Sequence, residues 1–242
     1  MDETKKLKIA VIIPVYNEEQ VIGSVLDAIP AGSVDQVIVI DDGSTDGTPG
    51  LLEKRDVTVL RHSRKCFVGV SIRDGLVKAC NMGMDVAVVM AGNGKDDPKQ
   101  IPIVVEPILS GKADYVQGSR YLEGGQFNKM PIHRRIVTRV YPVLFRMVTG
   151  FRATDATNGF RSYRLNILQN SGINLAQDWL DESLEYYLSL RVCQLGYRVI
   201  EVPVTKLYPP TSVYSQYTKV RPGIGWINRL KPLFYCGLKL RK

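Results

Sequence analysis

Apolar residues in the first half of the chain fall into short unbroken runs, each followed by a polar or glycine-rich stretch. Ile9-Ala10-Val11-Ile12-Ile13 is the first, and a run without polar interruption is the pattern of a strand covered on both faces. Pro14 and Asn17 end it, and Glu18 to Ala28 reads as a helix. Val37 to Ile40 gives a second strand, Val57 to Leu60 a third, Val86 to Met90 a fourth and Tyr115 to Gln117 a fifth. A helix over Ser71 to Cys80 separates the third from the fourth. Further along come an amphipathic stretch, Ile132 to Val148, a helical stretch, Asp178 to Leu195, and a last strand, Arg198 to Pro203. Strand and helix alternating in this way predict an α/β fold: a mainly parallel central sheet with helices on both faces. In such sheets ligands bind beyond the carboxyl ends of the strands, which singles out the segments starting at Pro14, Asp41 and Ala91.

With 242 residues, 45% of them apolar and 23% charged, the chain has the make-up of an ordinary globular domain. Its net charge of +8 is unevenly placed. Glu201 is the last acid, and eight of the 32 cations lie beyond it, so the 24 that precede balance the 24 carboxylates. The chain thus divides into a neutral domain over 1–205 and a basic extension over 206–242. A nucleic-acid binder is disfavoured, because the domain is not basic and lacks the aromatic-plus-basic motifs of the usual folds. No run reaches the roughly 18 to 20 apolar residues of a membrane span, and the N-terminus has no signal-peptide core. Cys66, Cys80, Cys193 and Cys236 are too dispersed for a zinc motif or a disulfide framework, so a cytoplasmic setting is expected.

Two strand ends carry the most specific chemistry. Ile12-Ile13-Pro14-Val15-Tyr16-Asn17-Glu18 closes the first strand, and Val39-Ile40-Asp41-Asp42-Gly43-Ser44-Thr45-Asp46 closes the second. A carboxylate just past a strand can accept hydrogen bonds from a base edge or a ribose hydroxyl, and Asp41 and Asp42 suit that role. Asp41 to Thr48 taken alone is also an ordinary turn sequence. Together the two motifs resemble the family 2 glycosyltransferases, whose GT-A (Rossmann-like) fold binds nucleotide sugars. His62, Gly69, Ile72-Arg73-Asp74-Gly75, Gly118-Ser119-Arg120-Tyr121, Asp155 to Arg161 and Gly196 to Pro203 continue the resemblance. The later motifs are similar to the branch containing dolichyl-phosphate mannosyltransferase and bacterial polyprenyl-phosphate sugar transferases. The resemblance implies an inverting transfer of one sugar from a UDP- or GDP-linked donor to a polyprenyl phosphate at the cytoplasmic membrane face. Pro14, Tyr16, Glu18, Asp41 and Asp42 would line the nucleoside side of the donor crevice, with Ala91, Gly92 and Asn93 on its diphosphate side.

The third strand end departs from the family pattern. Relatives carry Asp-x-Asp there, holding a divalent ion against the diphosphate. Here Val89-Met90-Ala91-Gly92-Asn93-Gly94-Lys95-Asp96-Asp97-Pro98 puts Ala91 and Asn93 at the carboxylate positions and Lys95 two residues on. Alanine offers no ligand, asparagine one neutral oxygen and lysine a repelling cation, which puts Mg²⁺ or Mn²⁺ in the usual mode in doubt. Three arrangements stay open. Lys95 replaces the metal as a point charge on the leaving diphosphate. Alternatively Asp96 or Asp97 holds a cation together with Asn93, or the site is degenerate and binds a nucleotide sugar without turnover.

On the acceptor side no acid occurs between Glu123 and Asp155, whereas Lys129, Arg134, Arg135, Arg139, Arg146 and Arg152 do. Arginine forks match phosphate oxygens. The resemblance sets Ser119, Arg120 and Arg134 on the acceptor phosphate and puts Arg161 and Lys219 in phosphate-handling motifs. Asn93, Lys95, Arg120 and Arg161 make up the expected catalytic set. The blander reading of Ile132 to Val148 is a surface helix with a solvated basic face. A phosphate acceptor is ionised at pH 7 and needs no general base. A saccharide hydroxyl, the alternative acceptor in polysaccharide or lipopolysaccharide assembly, needs one, for which Asp155 or the cluster Asp181-Glu182-Ser183-Leu184-Glu185 is available. In the extension, Trp226, Ile227, Leu230, Leu233, Phe234, Leu238 and Leu240 recur at helical spacing among five cations, with a restart at Pro232. Such a helix would lie in the plane of an anionic membrane surface, or pack on its own domain or on a second subunit.

Overall fold

The computed structural model describes residues 6–208 and 224–238, the side chains of the second segment from residue 228 onward. Seven strands join one sheet: β1 (Ile9–Val15), β2 (Gln36–Asp41), β3 (Thr58–Arg61), β4 (Val86–Val89), β5 (Tyr115–Ser119), β7 (Arg161–Arg164) and β8 (Val199–Pro203). Their order is β3-β2-β1-β4-β7-β5-β8, and β6 (Gln126–Phe127) pairs with β9 (Thr205–Lys206) apart from them. The first four strands run parallel, as their uninterrupted apolar sequence predicts. β7 is the exception, antiparallel to β4 on one side and β5 on the other. Nothing in the periodicity announces it, because Arg161-Ser162-Tyr163-Arg164 is largely polar. It persists as a buried strand because its polar groups find partners: the Ser162 hydroxyl donates to the Val104 carbonyl at 2.7 Å.

Successive side chains of a strand face opposite layers. Ala10 and Ile12 of β1 pack with α3 (Val68–Asn81) and α6 (Leu184–Gln194), while Val11 and Ile13 pack with α1 (Ile22–Asp27), α2 (Thr48–Leu52) and α4 (Ile101–Leu109). α5 (Ile132–Thr149) and α7 (Ile224–Gly237) join the first of these layers through Tyr141, Phe145, Leu233 and Cys236. Helices therefore cover both faces of the sheet.

Three helices differ from their sequence expectation. α1 starts at Ile22 and not Glu18, because the backbone of residues 17–19 is hydrogen-bonded to the loop after β2. α6 starts only at Leu184, since the Asp181 carbonyl just before it accepts the Gly69 N–H of α3 at 2.7 Å. Pro232 does not restart the last helix: α7 runs through it, as α5 runs through Pro142. In each case the proline removes one N–H and leaves the rest of the helical ladder intact. The described part of α7 packs on its own domain, burying Leu233 and Cys236, and its Gly237 faces Val148 of α5.

The chain adds β2 and β3 on one side of β1 and then crosses to place β4 on the other. Beyond the carboxyl ends of β1 and β4 lies the crevice that such a reversal opens. Gly69 fixes how α3 and the segment before α6 close over one layer of this arrangement. A Cβ added to it would lie 2.2 Å from the Leu180 carbonyl oxygen and 2.6 Å from that of Asp181, and backbone cannot step aside cheaply. Gly69→Ala is expected to destabilise the fold by about 1–3 kcal/mol, read as a lower urea midpoint at unchanged slope.

Candidate functional site

The loops after β1 and β2 are fastened to each other along one wall of the crevice. Asn17 N–H donates to Ser44 Oγ and Glu18 N–H to Thr48 Oγ1, each at 2.9 Å, and Thr45 N–H returns to Asn17 Oδ1 at 2.8 Å. Gly47 N–H donates to Glu19 Oε2 at 2.6 Å. Asn17 tolerates the positive φ of 52° that this turn requires, as asparagine does more readily than most residues. Turn-forming residues here serve as rungs between two loops, which holds Tyr16 and Glu18 against the Asp41 segment.

The adjacent carboxylates Asp41 and Asp42 have different tasks. Both Asp42 oxygens are taken: Oδ1 by Cys66 N–H at 2.7 Å and the His62 ring at 2.9 Å, Oδ2 by Phe67 N–H at 3.0 Å. His62 also meets Asp74 at 3.1 Å, so Asp42 anchors the loop that leads into α3. Asp42, His62 and Cys66 bring metal-type ligand atoms within 4.8 Å of one another, but the carboxylate is already committed to backbone N–H groups. Asp41 uses only Oδ1, which accepts Ser44 N–H at 2.8 Å. Its Oδ2 is buried without a hydrogen-bond partner; Arg61 Nε lies 3.3 Å away but out of line for one. Asp41 is therefore the one of the pair with an acceptor oxygen to spare. Lys65 stacks its ammonium 4.1 Å from the centre of the Tyr16 ring beside it.

The loop after β4 carries the substituted positions. Gly92 presses on β1: a Cβ there would meet Val15 Cγ1 at 2.4 Å. Asp96 is buried, and its two oxygens accept from Lys206 Nζ at 2.5 Å and from Ala91 N–H at 3.1 Å. Asn93 turns its amide oxygen back on Lys95 N–H at 3.3 Å, and Asp97 caps the short helical turn that follows through Lys99 N–H at 3.0 Å. Leu207 N–H donates to the Lys95 carbonyl at 2.8 Å, so the segment after β8 is strapped across this loop. Lys95 itself is 5% exposed. Burial pushes its ammonium down from 10.5 to about 7, with the charges of Arg134 and Lys206 in support and Glu18 and Asp96 opposing. A lysine so placed gains when an anion enters.

Tyr208 joins this loop to the acceptor side. The Lys95 ammonium lies 5.9 Å and the Arg134 guanidinium 5.5 Å from its ring centre, and its hydroxyl accepts from Arg120 Nη1 at 2.8 Å. Arg120 is buried and forks onto Asp155, with Nε to Oδ2 at 2.6 Å and Nη2 to Oδ1 at 2.7 Å. Nη2 also donates to Thr157 Oγ1 at 2.6 Å. Burial alone would lower the Arg120 guanidinium, but the Asp155 carboxylate outweighs it and holds it above the usual range. Asp155 is likewise held below the usual carboxylate range against its burial. Glu201 fixes the same loop by accepting from Thr154 N–H at 2.7 Å and Asp155 N–H at 2.9 Å.

Of the residues singled out in the sequence, Glu18, Lys95 and Arg134 share one electrostatic neighbourhood, next to Asn93 on the β4 loop. Ser119 and Arg120 are turned inward: the Ser119 hydroxyl is spent on Thr154 Oγ1 at 2.6 Å, and Arg120 uses four of its N–H bonds inside the protein. Arg161 is 0% exposed, donating to the Asn158 and Glu185 carbonyls with its guanidinium 5.8 Å from the centre of the Tyr186 ring, and with Nη2 unpartnered among the described residues. Lys219 lies outside the described residues. Lys206 and Tyr208 belong to the site and were not singled out for it. Their signal was faint: they stand at the start of an acid-free run in which Lys206 counts as one more tail cation. The Asp155 carboxyl, a candidate general base for a saccharide acceptor, is consumed by Arg120.

The model of the family described as glycosyl transferase family 2 matches residues 10–172. The undecaprenyl-phosphate mannosyltransferase of Micrococcus luteus is 30% identical over 208 residues, 82% of this chain and 83% of its own length. The polyprenol monophosphomannose synthase of Mycolicibacterium smegmatis is 30% identical over 205 residues, 81% of this chain and 76% of its own. Glucosyl-3-phosphoglycerate synthase from Mycobacterium tuberculosis, solved with Mn²⁺, UDP and phosphoglyceric acid, gives a TM-score of 0.66 at 18% identity. That match covers 94% of this chain and 78% of the other, and it shows the shared GT-A fold.

Two outcomes follow from the ion pairs. Removing one partner of a buried, fully bonded pair strands the other charge, so Asp155→Ala is expected to cost about 3–5 kcal/mol in chemical denaturation. Lys95 binds fewer protons folded than unfolded between pH 7 and 10.5, so its contribution to stability rises with pH across that window and is flat below it. Lys95→Met is expected to remove that part of the rise in a series of urea midpoints against pH.

Proposed function

The chain belongs to glycosyl transferase family 2, and on that premise we propose that it moves a single sugar from a nucleoside diphosphate donor to a polyprenyl phosphate. The observation that carries this reading is the group of cations around Tyr208. Lys95, Arg134, Lys206 and Arg120 converge where the donor crevice meets the acceptor side, Lys206 paired with Asp96 and Arg120 with Asp155. Such a site suits two phosphate groups at once: the leaving diphosphate and the incoming monophosphate. The likeness to transferases whose names specify undecaprenyl phosphate or polyprenol supports the same acceptor class.

The chemistry is a single displacement. An acceptor phosphate oxygen attacks the anomeric carbon on the face opposite the diphosphate. The new C–O bond forms as the bond to the diphosphate breaks, and the diphosphate leaves with the electron pair. No proton needs removal from an ionised phosphate, which fits a site whose buried Asp155 is committed to Arg120. Arg134 orients the acceptor phosphate, and Lys95 neutralises charge developing on the leaving group. Arg120 acts at one remove, by positioning Tyr208 and the Asp155 loop. On the donor side Asp41 Oδ2 can accept the imide N–H that uracil and guanine both present.

A divalent ion in the family's usual mode does not fit these residues. Ala91 has no ligand, Asn93 turns its oxygen to the backbone, and Asp96 is held by Lys206 and the Ala91 amide. Lys95 supplies the positive charge instead. A lipid-linked acceptor sets the enzyme at a membrane surface, and the inner, cytoplasmic face follows from where nucleotide sugars are available.

Turnover with donor and a short-chain polyprenyl phosphate is expected to persist in excess chelator. Activity that vanishes and returns with Mg²⁺ or Mn²⁺ would contradict the role given to Lys95. Lys95→Met is expected to lower kcat by about 10²–10³-fold. Arg134→Ala is expected to raise the acceptor KM by about 10–100-fold with little change in the donor KM; equal changes in both would count against its assignment.

A further inference from the structure

The outer face of α5 is not accounted for by the catalytic site. Ile132, Ile136, Val140, Val143 and Met147 follow one another at three- and four-residue intervals, and all five are more than half exposed. Met147, the most open, is 78% exposed. Large aliphatic residues in an unbroken row on one helix face form a patch that a soluble surface seldom presents without a partner. The helix is 18 residues long, about 27 Å, and no described helix is long and apolar enough to cross a membrane.

Beside this row is a cavity of about 390 Å³, whose lining includes Tyr121, Arg139, Pro142, Val143, Arg146 and Arg152. Val143 belongs to both the cavity and the apolar row. None of the three arginines forms an ion pair with a described residue, although Arg139 stacks 5.4 Å from the centre of the Tyr121 ring. The sequence explains the lack of carboxylates, since residues 124–154 contain no acid. Thr154 and Tyr121 in its lining adjoin Ser119 and Arg120, but its arginines are neither Arg120 nor Arg134.

We propose that α5 docks on an anionic bilayer, its aliphatic row entering the headgroup boundary while Arg139, Arg146 and Arg152 seat a lipid headgroup phosphate in the adjoining cavity. Charge complementarity selects this occupant. A second protein would meet a face on which every ionisable residue is basic, whereas a bilayer of anionic lipid offers phosphate and hydrocarbon at the same depth. The assignment extends the reading of a lipid-linked acceptor by naming the surface and a headgroup subsite apart from the acceptor phosphate. It also moves membrane contact from the basic C-terminal run to α5.

Flotation of the full chain with vesicles tests it without donor or polyprenyl phosphate present. Binding to vesicles of phosphatidylcholine with phosphatidylglycerol is expected, and little to phosphatidylcholine alone. The triple variant Arg139→Gln, Arg146→Gln, Arg152→Gln should bind the anionic vesicles about tenfold more weakly or worse, as should Ile136→Asp, Val143→Asp, Met147→Asp. All six side chains are exposed, so the core is untouched. Transfer to a short-chain polyprenyl phosphate in detergent should stay near wild type in both variants, which keeps docking separate from catalysis. Wild-type binding by both variants would overturn the proposal, as would equal binding to neutral vesicles. Binding lost only when Lys239, Arg241 and Lys242 are changed to Gln would overturn it too.

Discussion

The buried pairing of Asp96 with Lys206 is the constraint on which the site depends. It joins the loop after β4 to β9, residues more than a hundred positions apart, and the second Asp96 oxygen locks the Ala91 amide. With Asp96 so occupied, the one fully buried acid of that loop is withdrawn from any role as a cation ligand. Lys95, next to it on the same loop, is buried, and burial with two neighbouring cations depresses its ammonium to about 7. Burial disfavours the charged form there, and an anion entering beside Lys95 would favour it.

The doubly wound half of the sheet was legible because apolar runs such as Ile9 to Ile13 can only be strands with both faces covered. The crevice was legible for the same reason, since its position follows from strand order. β7 was hidden. A strand reading Arg-Ser-Tyr-Arg has no periodic signature, and only the long return of the chain between β4 and β5 makes it one. The motifs lead to the loops that line the crevice but not to which side chains are available there. Asp41 and Asp42 are indistinguishable in sequence, yet one keeps an acceptor oxygen and the other spends both on backbone N–H groups. Arg120, Ser119 and Arg161 read as phosphate ligands, and each is engaged within the protein instead. Inward hydrogen bonds are a property of the assembled fold, invisible to a motif.

The basic balance of the chain has a similar history. Counting charges divided it into a neutral domain and a cationic extension, but Lys206 on the extension side is a buried member of the site, and α7 packs its apolar residues against α5 and α6. A continuous row of exposed apolar residues lies on α5, inside the neutral domain, where a local acid-free stretch is concealed by the overall balance. Donor crevice, cation cluster and exposed helix are linked through Tyr208 and Arg134: the first turn of α5 supplies an arginine to the site, and the rest of the helix faces outward.

The central claim is that the Lys95 ammonium takes the place of a metal on the diphosphate. Calorimetry of nucleoside diphosphate binding above pH 7, in buffers of different ionisation enthalpy, measures the protons taken up with the ligand. The account predicts uptake approaching about one proton in the wild type, none in Lys95→Met, and no gain in affinity from Mn²⁺. Binding without proton uptake, tightened many-fold by Mn²⁺, would contradict it.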